Sequence, residues 1–234
     1  MDSTQEIVIT SAQLFGFFIR GLFCAVLPFA LCAYLHKKHG AGVYPLFVGL
    51  VTVMLILVPR AVMRKMLVPG AESLTGKWLT VWFVGACFEE LGRYFAMKHA
   101  MPNHDTRPDV LCYGLGHGGA ETLITARMQF AILYQAATRT GEHLEAYSQQ
   151  GLLTAAEICC GQTVNLIFHM AMSVLIARAV HYPDCKKLIP IAIFIHVLAD
   201  FTIFCFGSVA DLMLTAALCI FVYLHGKQYP ERYI

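Results

Sequence analysis

Long apolar stretches recur so densely in this 234-residue chain that little is left to face water. About seven of them, near residues 11–35, 43–63, 77–97, 109–137, 152–180, 188–206 and 209–225, approach or exceed the roughly 20 residues that cross a hydrocarbon core. Inside a bilayer a helix satisfies its own backbone groups, so the pattern predicts an all-α fold, a polytopic transmembrane helical bundle. With 58% hydrophobic and only 14% charged residues, the chain is too apolar for a soluble domain of its size. The reading is of one integral membrane domain over residues 1–234, with a catalytic core over 77–206 and the lipid bilayer as its surroundings.

The start, MDSTQE, lacks the basic n-region of a secretory signal, so the first apolar stretch is expected to stay in the mature protein. With the N-terminus outside, the inner loops and tail hold Lys37, Lys38, Lys98, Arg107, Arg178, Lys186, Lys187, Lys227 and Arg232. The outer loops hold Arg60, Arg64, Lys65, Lys77 and Arg139. The bias favours N-out, C-in, in a bacterial cytoplasmic membrane, with the loop between the second and third spans dissenting. A net charge of +2 spread without a basic stripe argues against nucleic acid as a partner. The nine cysteines show no metal-type or disulfide framework and read as small buried hydrophobes. The segment from Ala100 to Pro108 reads as a connector.

Four polar clusters sit inside these apolar segments: Glu89-Glu90 with Arg93, His117 with Glu121, Asn165 with His169, and His196 with Asp200. Ionisable groups there are costly and point to function. Glu89 lies nine residues from Lys98, His117 ten from Arg107, His169 nine from Arg178 and His196 nine from Lys187. At about 1.5 Å rise per residue, each lies roughly 14 Å from one basic membrane face, so the four can meet. In the N-out orientation the site is expected to open toward the cytoplasm.

Three clusters have a spacing of four, which puts both members on one helix face. Histidine nitrogens and carboxylates suit zinc or an activated water, and the candidate ligands are His117, His169, His196, Asp200 and Glu121. Adjacent residues diverge by about 100° on a helix, so Glu89 and Glu90 should have different roles. Arg93 can pair with either, leaving the other as general base. Asn165 could donate to an oxyanion. The run YGLGHGGAE brings small residues around His117, suited to close helix packing. It lacks the GK[ST] ending and preceding strand of a phosphate loop. Arg20, Arg127 and Glu157 lie off this depth and read as structural, with Glu157 a partner for one arginine.

At EELGR, GLGHGGAE, the fifth-span histidine and HVLAD, the chain resembles the YhfC-type membrane peptidases, relatives of PrsW and of the CAAX-protease/bacteriocin-processing (ABI) intramembrane metalloproteases. By that resemblance Glu89, Glu90 and Arg93 match a first element, His117 a second, and His196 with Asp200 a third. His169 and Glu121 belong to the YhfC branch. The CAAX-type pattern has one more residue between the second glutamate and the arginine than EELGR, which leaves open which glutamate is the base. The resemblance implies peptide-bond hydrolysis inside the membrane.

The expected function is therefore an intramembrane endopeptidase acting on a membrane-embedded or membrane-associated peptide or protein. Glu89 or Glu90 takes a proton from water while His117, His196 and His169 hold that water or a zinc ion, and a metal-free version stays open. The rival readings are a divalent-metal or proton-coupled carrier, which the lack of two similar halves weakens, and a non-catalytic partner such as an immunity protein.

Overall fold

A computed structural model describes residues 8–71, 73–140 and 143–227; the acidic start, MDSTQE, and Arg232 lie outside them. Among the described residues the fold is all-α, with helices α1 (Ser11–His39), α2 (Tyr44–Leu67), α3 (Leu74–Ala100), α4 (Arg107–Thr138), α5 (Leu144–Ser148), α6 (Leu152–His181), α7 (Leu188–Phe206) and α8 (Ser208–Gly226). Short 3-10 turns join α2 to α3 and α6 to α7. The seven long helices fall on the seven apolar segments. Helices α1, α2, α6, α7 and α8 are both long and apolar enough to cross a membrane. Helices α3 and α4 have the length but not the composition, since α3 carries Glu89, Glu90 and Arg93 and α4 carries His117, Glu121 and Arg127 with a run of glycines.

Local chemistry sets the ends. Thr10 and Gln13 form a capping box on α1, and Gly40 closes that helix in the left-handed conformation. Ser73 caps α3, and Thr106 caps α4, with Asp109 in its first turn. Helix α2 runs to Leu67, past the expected end at 63, so Arg60 and Arg64 are helical residues rather than loop cations. In the polar stretch after α4, the short helix α5 is tied back by Tyr147, whose hydroxyl donates to Gln135 Oε1 at 3.0 Å.

Helix α4 is the central post, packed on α1, α2 and α6, while α3 packs on α2, α6 and α7, and α8 closes against α6 and α7. The glycine run makes the post thin. A Cβ at Gly116 would lie 2.0 Å from the Leu46 carbonyl oxygen, and one at Gly49 would lie 2.3 Å from that of Tyr113. Helices α2 and α4 therefore touch backbone to backbone, as small residues permit. A Cβ at Gly118 would lie 2.9 Å from the His169 ring, so this glycine leaves room for an imidazole.

The outer surface carries large apolar side chains such as Leu55, Val58, Phe194 and Met213, as lipid contact requires. Helices α1, α3, α6 and α8 start on one face of the bundle, and α2, α4 and α7 end there. The opposite, anchor face receives Lys98, Arg107, Arg178 and Lys187.

Candidate active site

The equal depths inferred from the sequence do bring the clusters together. Glu89, Glu90, Arg93, His117, His169 and His196 are all buried, from α3, α4, α6 and α7. The two glutamates diverge as expected. Glu90 turns to Arg93, whose Nε donates to Glu90 Oε2 at 3.1 Å with both side chains fully buried. Glu89 turns the other way, and its Oε1 is paired with Arg60 Nη1 from α2.

Glu89 Oε2 accepts no hydrogen bond although it is buried. It faces His117 Nε2 at 3.6 Å and His196 Nε2 at 3.5 Å. Both ring nitrogens of His117 also lack partners. Buried polar atoms without protein partners are rare in native proteins, so the chemistry of this cluster suits a water or a cation.

The hydrogen bonds assign the histidines. His196 Nδ1 lies 2.8 Å from Glu90 Oε1, and a carboxylate already paired with arginine can only accept, so Nδ1–H donates. In the neutral ring this leaves the lone pair of His196 Nε2 facing Glu89 Oε2 at 3.5 Å. A carboxylate on the far nitrogen of an imidazole is the arrangement that orients metal-binding histidines. At His169, Arg93 Nη2 donates to Nδ1 at 3.0 Å. Nε2 of that neutral ring therefore holds the proton and donates to Glu121 Oε2 at 3.2 Å. Arg93 also donates to the His169 carbonyl at 3.0 Å and to Ser173 Oγ at 2.6 Å, binding α3 to α6.

The donor chemistry fits a divalent metal. Ligand atoms of Glu89, His117 and His169 lie within 4.8 Å of one another. In the tautomer its partners impose, His169 has no free lone pair, and a neutral His196 offers one at Nε2 instead. The 3.5 and 3.6 Å separations around Glu89 Oε2 approach the edge of a tetrahedron with bonds of about 2.0–2.1 Å. Glu121 and Asp200, expected as ligands, lie outside the mutual donor group. Glu121 accepts from His169 and, at 3.3 Å, from Asn165 Nδ2, which commits the proposed oxyanion donor to a carboxylate. Asp200 lines the adjoining cavity, one helical turn from His196.

That cavity, about 660 Å³, runs from Glu89, His169 and His196 past Arg60, Trp82 and Asp200 to Ser208 and Asp211 at the α7–α8 junction. Gly207, with φ of 77° and ψ of −170°, turns the chain there in a conformation that essentially only glycine adopts. Toward the anchors the site is sealed by buried Met97, Tyr113, Met172, Leu175 and Leu188. The cavity thus opens on the face away from Lys98, Arg107, Arg178 and Lys187. This corrects the expectation that the site opens toward its anchors.

Two residues of the site went unread in the sequence. Ser173 carries no distinguishing signal there. Arg60 lies inside the apolar segment 43–63, where a cation near the end reads as a loop residue; its depth within that span is the available sign. Arg64 donates to the Val81 carbonyl at 3.0 Å. Arg20 donates to Gln150 Oε1 at 3.0 Å, Arg127 is exposed, and among the described residues neither arginine pairs with Glu157, which lines the cavity. Among the described residues all nine cysteines are free, with Cys32 and Cys112 sulfurs 3.4 Å apart.

A family model for the YhfC intramembrane metalloproteases matches residues 23–220, most of the chain and every residue of this cluster. The chain belongs to the YhfC family. The YhfC membrane protein of Bacillus subtilis strain 168, described as uncharacterized, is 29% identical over 114 residues. That match covers 45% of this chain and 44% of the relative, less than half of either. No solved structure matches. Family membership and the apolar helices make this an integral membrane protein, and the family's description agrees with a buried Glu/His group able to take a metal.

Proposed function

We propose that the protein is an intramembrane endopeptidase in which Glu89 activates a water molecule lodged between His117 and His196. The supporting observation is the buried, unpartnered Glu89 Oε2 facing two imidazole nitrogens at 3.5 and 3.6 Å. Oε2 takes the proton of that water as it attacks the scissile carbonyl, and Arg60 on Oε1 fixes which oxygen does so. Glu90 orients His196, and Arg93 fixes Glu90 and His169. Glu121, held by His169 and Asn165, is the next carboxylate toward the cavity and a station for the proton on its way to the leaving amine.

Glu89, His117 and His196 are also the residues that would hold a divalent metal, zinc by donor type; when bound, it would acidify its water and polarise the carbonyl. The substrate is a membrane peptide or protein that approaches from the mouth face. By the bias of cations toward the anchor face, this is the outer side of a cytoplasmic membrane. The apolar seal on the other side gives a carrier no through path.

Cleavage of a membrane-peptide library by purified protein tests the reading. Wild type should cut, and Glu89→Gln should not while retaining its fold. Equal cutting by both would remove Glu89 from the chemistry.

A further inference from the structure

One wall of the cavity carries three carboxylates that make no side-chain hydrogen bond or ion pair among the described residues. Glu157 on α6, Asp200 on α7 and Asp211 on α8 line it, running from an exposed rim inward. Asp211 is only 9% exposed, yet among the described residues it has no hydrogen bond or ion pair from its side chain, and neither do Glu157 and Asp200. Gln162 adds a separate signal on the same wall, a buried Oε1 with no donor. Of the two arginines in the cavity, Arg60 is paired with Glu89, and Arg64 donates to the Val81 carbonyl and makes no ion pair with the wall among the described residues.

A buried carboxylate such as Asp211 favours a positive partner, and Asp200 and Glu157 extend the same negative wall to the rim. The desolvation of Asp211 is already part of the folded state, so an arriving cation is attracted there without that cost being met again. The cavity joins this wall to Glu89, so the partner can arrive as part of a substrate.

We infer that the wall of Glu157, Asp200, Asp211 and Gln162 selects substrates bearing an ammonium or guanidinium group close to the bond placed at Glu89. The group can come from an internal lysine or arginine or from a free amino terminus. The inference rests on the endopeptidase reading only for the bearer being a peptide substrate.

The test uses full-length protein in nanodiscs with fluorescent apolar peptides that differ at one position, Lys, Arg, Gln or Glu, each with a free or an acetylated amino terminus. Binding and cleavage are followed separately. Lysine and arginine peptides should bind at least about tenfold tighter than the glutamine peptide, and the glutamate peptide weaker still. That preference should collapse in Asp211→Asn and Asp200→Asn, with thermal unfolding confirming that the variants are folded. If acetylation leaves the preference intact, the side chain is the source; if it abolishes binding, the amino terminus is. Equal binding of lysine and glutamine peptides in either form overturns the inference. So does a preference that survives both neutralised variants, or strong zinc binding at the wall that excludes the peptides. Cleavage without charge preference overturns the wall and spares the endopeptidase reading, whereas charge-selective binding without cleavage does the reverse.

Discussion

Gly116→Ala adds one methyl group at the thinnest point of the bundle and should disable the site from a distance. The new Cβ would lie 2.0 Å from the Leu46 carbonyl oxygen, with the carbonyl carbon at 2.8 Å. Carbon–oxygen contacts relax at about 3.3–3.6 Å, so α2 and α4 must part by roughly 1.3 Å or more. Overpacking of this kind costs about 1–3 kcal/mol, offset by up to about 1 kcal/mol from the better helix propensity of alanine. His117 is the next residue on α4, and its Nε2 lies 3.6 Å from Glu89 Oε2. A shift of about 1 Å at a reacting group can cost on the order of 100-fold in rate. Peptide cleavage and thermal unfolding in detergent should show a modest stability loss and a large loss of kcat/KM. Gly16→Ala, whose Cβ would meet Leu152 at an ordinary 3.9 Å, should change neither. A Gly116→Ala protein with wild-type rate and wild-type unfolding would refute the contact between α2 and α4 as the element that sets His117.

The two glutamates should separate by phenotype. Glu89→Gln should fold and lose about 10²–10⁴ in kcat, whereas Glu90→Gln leaves Arg93 buried without its partner and should cost about 3–5 kcal/mol, read as lost expression or a lowered Tm. Arg60→Gln should keep the fold and lower kcat more than it raises KM, on the order of 100-fold; an unchanged rate would show that the ion pair with Glu89 has no part in the chemistry. Metal analysis of purified protein should find about one zinc per chain, reduced in His117→Ala and His196→Ala but retained in Asp200→Asn; full activity after chelation with no metal found would favour Glu89 acting on water alone. In cells, a membrane-impermeant maleimide should label a cysteine placed at Ser208 from outside; labelling only after lysis would reverse the proposed orientation.

The fold was legible because bilayer thickness fixes helix length, and the seven apolar segments coincide with the seven long helices. Membrane-type composition fails at α3 and α4 for a physical reason: these helices carry the charges of the site and exchange apolar residues for carboxylates, an arginine and glycines. Equal depth foresaw that Glu89, His117, His169 and His196 meet, since helices of common rise anchored at one face align their registers. Depth carries no rotation about the helix axis, however. Sequence therefore could not say that Glu90 takes Arg93, that Glu121 is spent on His169 and Asn165, or that Asp200 turns into the cavity. Arg60 is not legible as a site residue, because a cation near the end of an apolar run looks like a loop residue although the helix continues to Leu67. The direction of opening lay outside reach for another reason. Depth alone cannot tell a packed apolar side, with Met172 and Leu188, from an open one with Ser208 and Asp211.

The most direct test of the Glu89-centred site is cleavage of membrane peptides by purified wild-type protein beside Glu89→Gln, with zinc supplied and folding checked on the same samples. The account predicts cutting by wild type and loss of at least about 100-fold in a folded Glu89→Gln protein. Cutting that survives the substitution, or a well-folded wild type that cuts nothing, would contradict it.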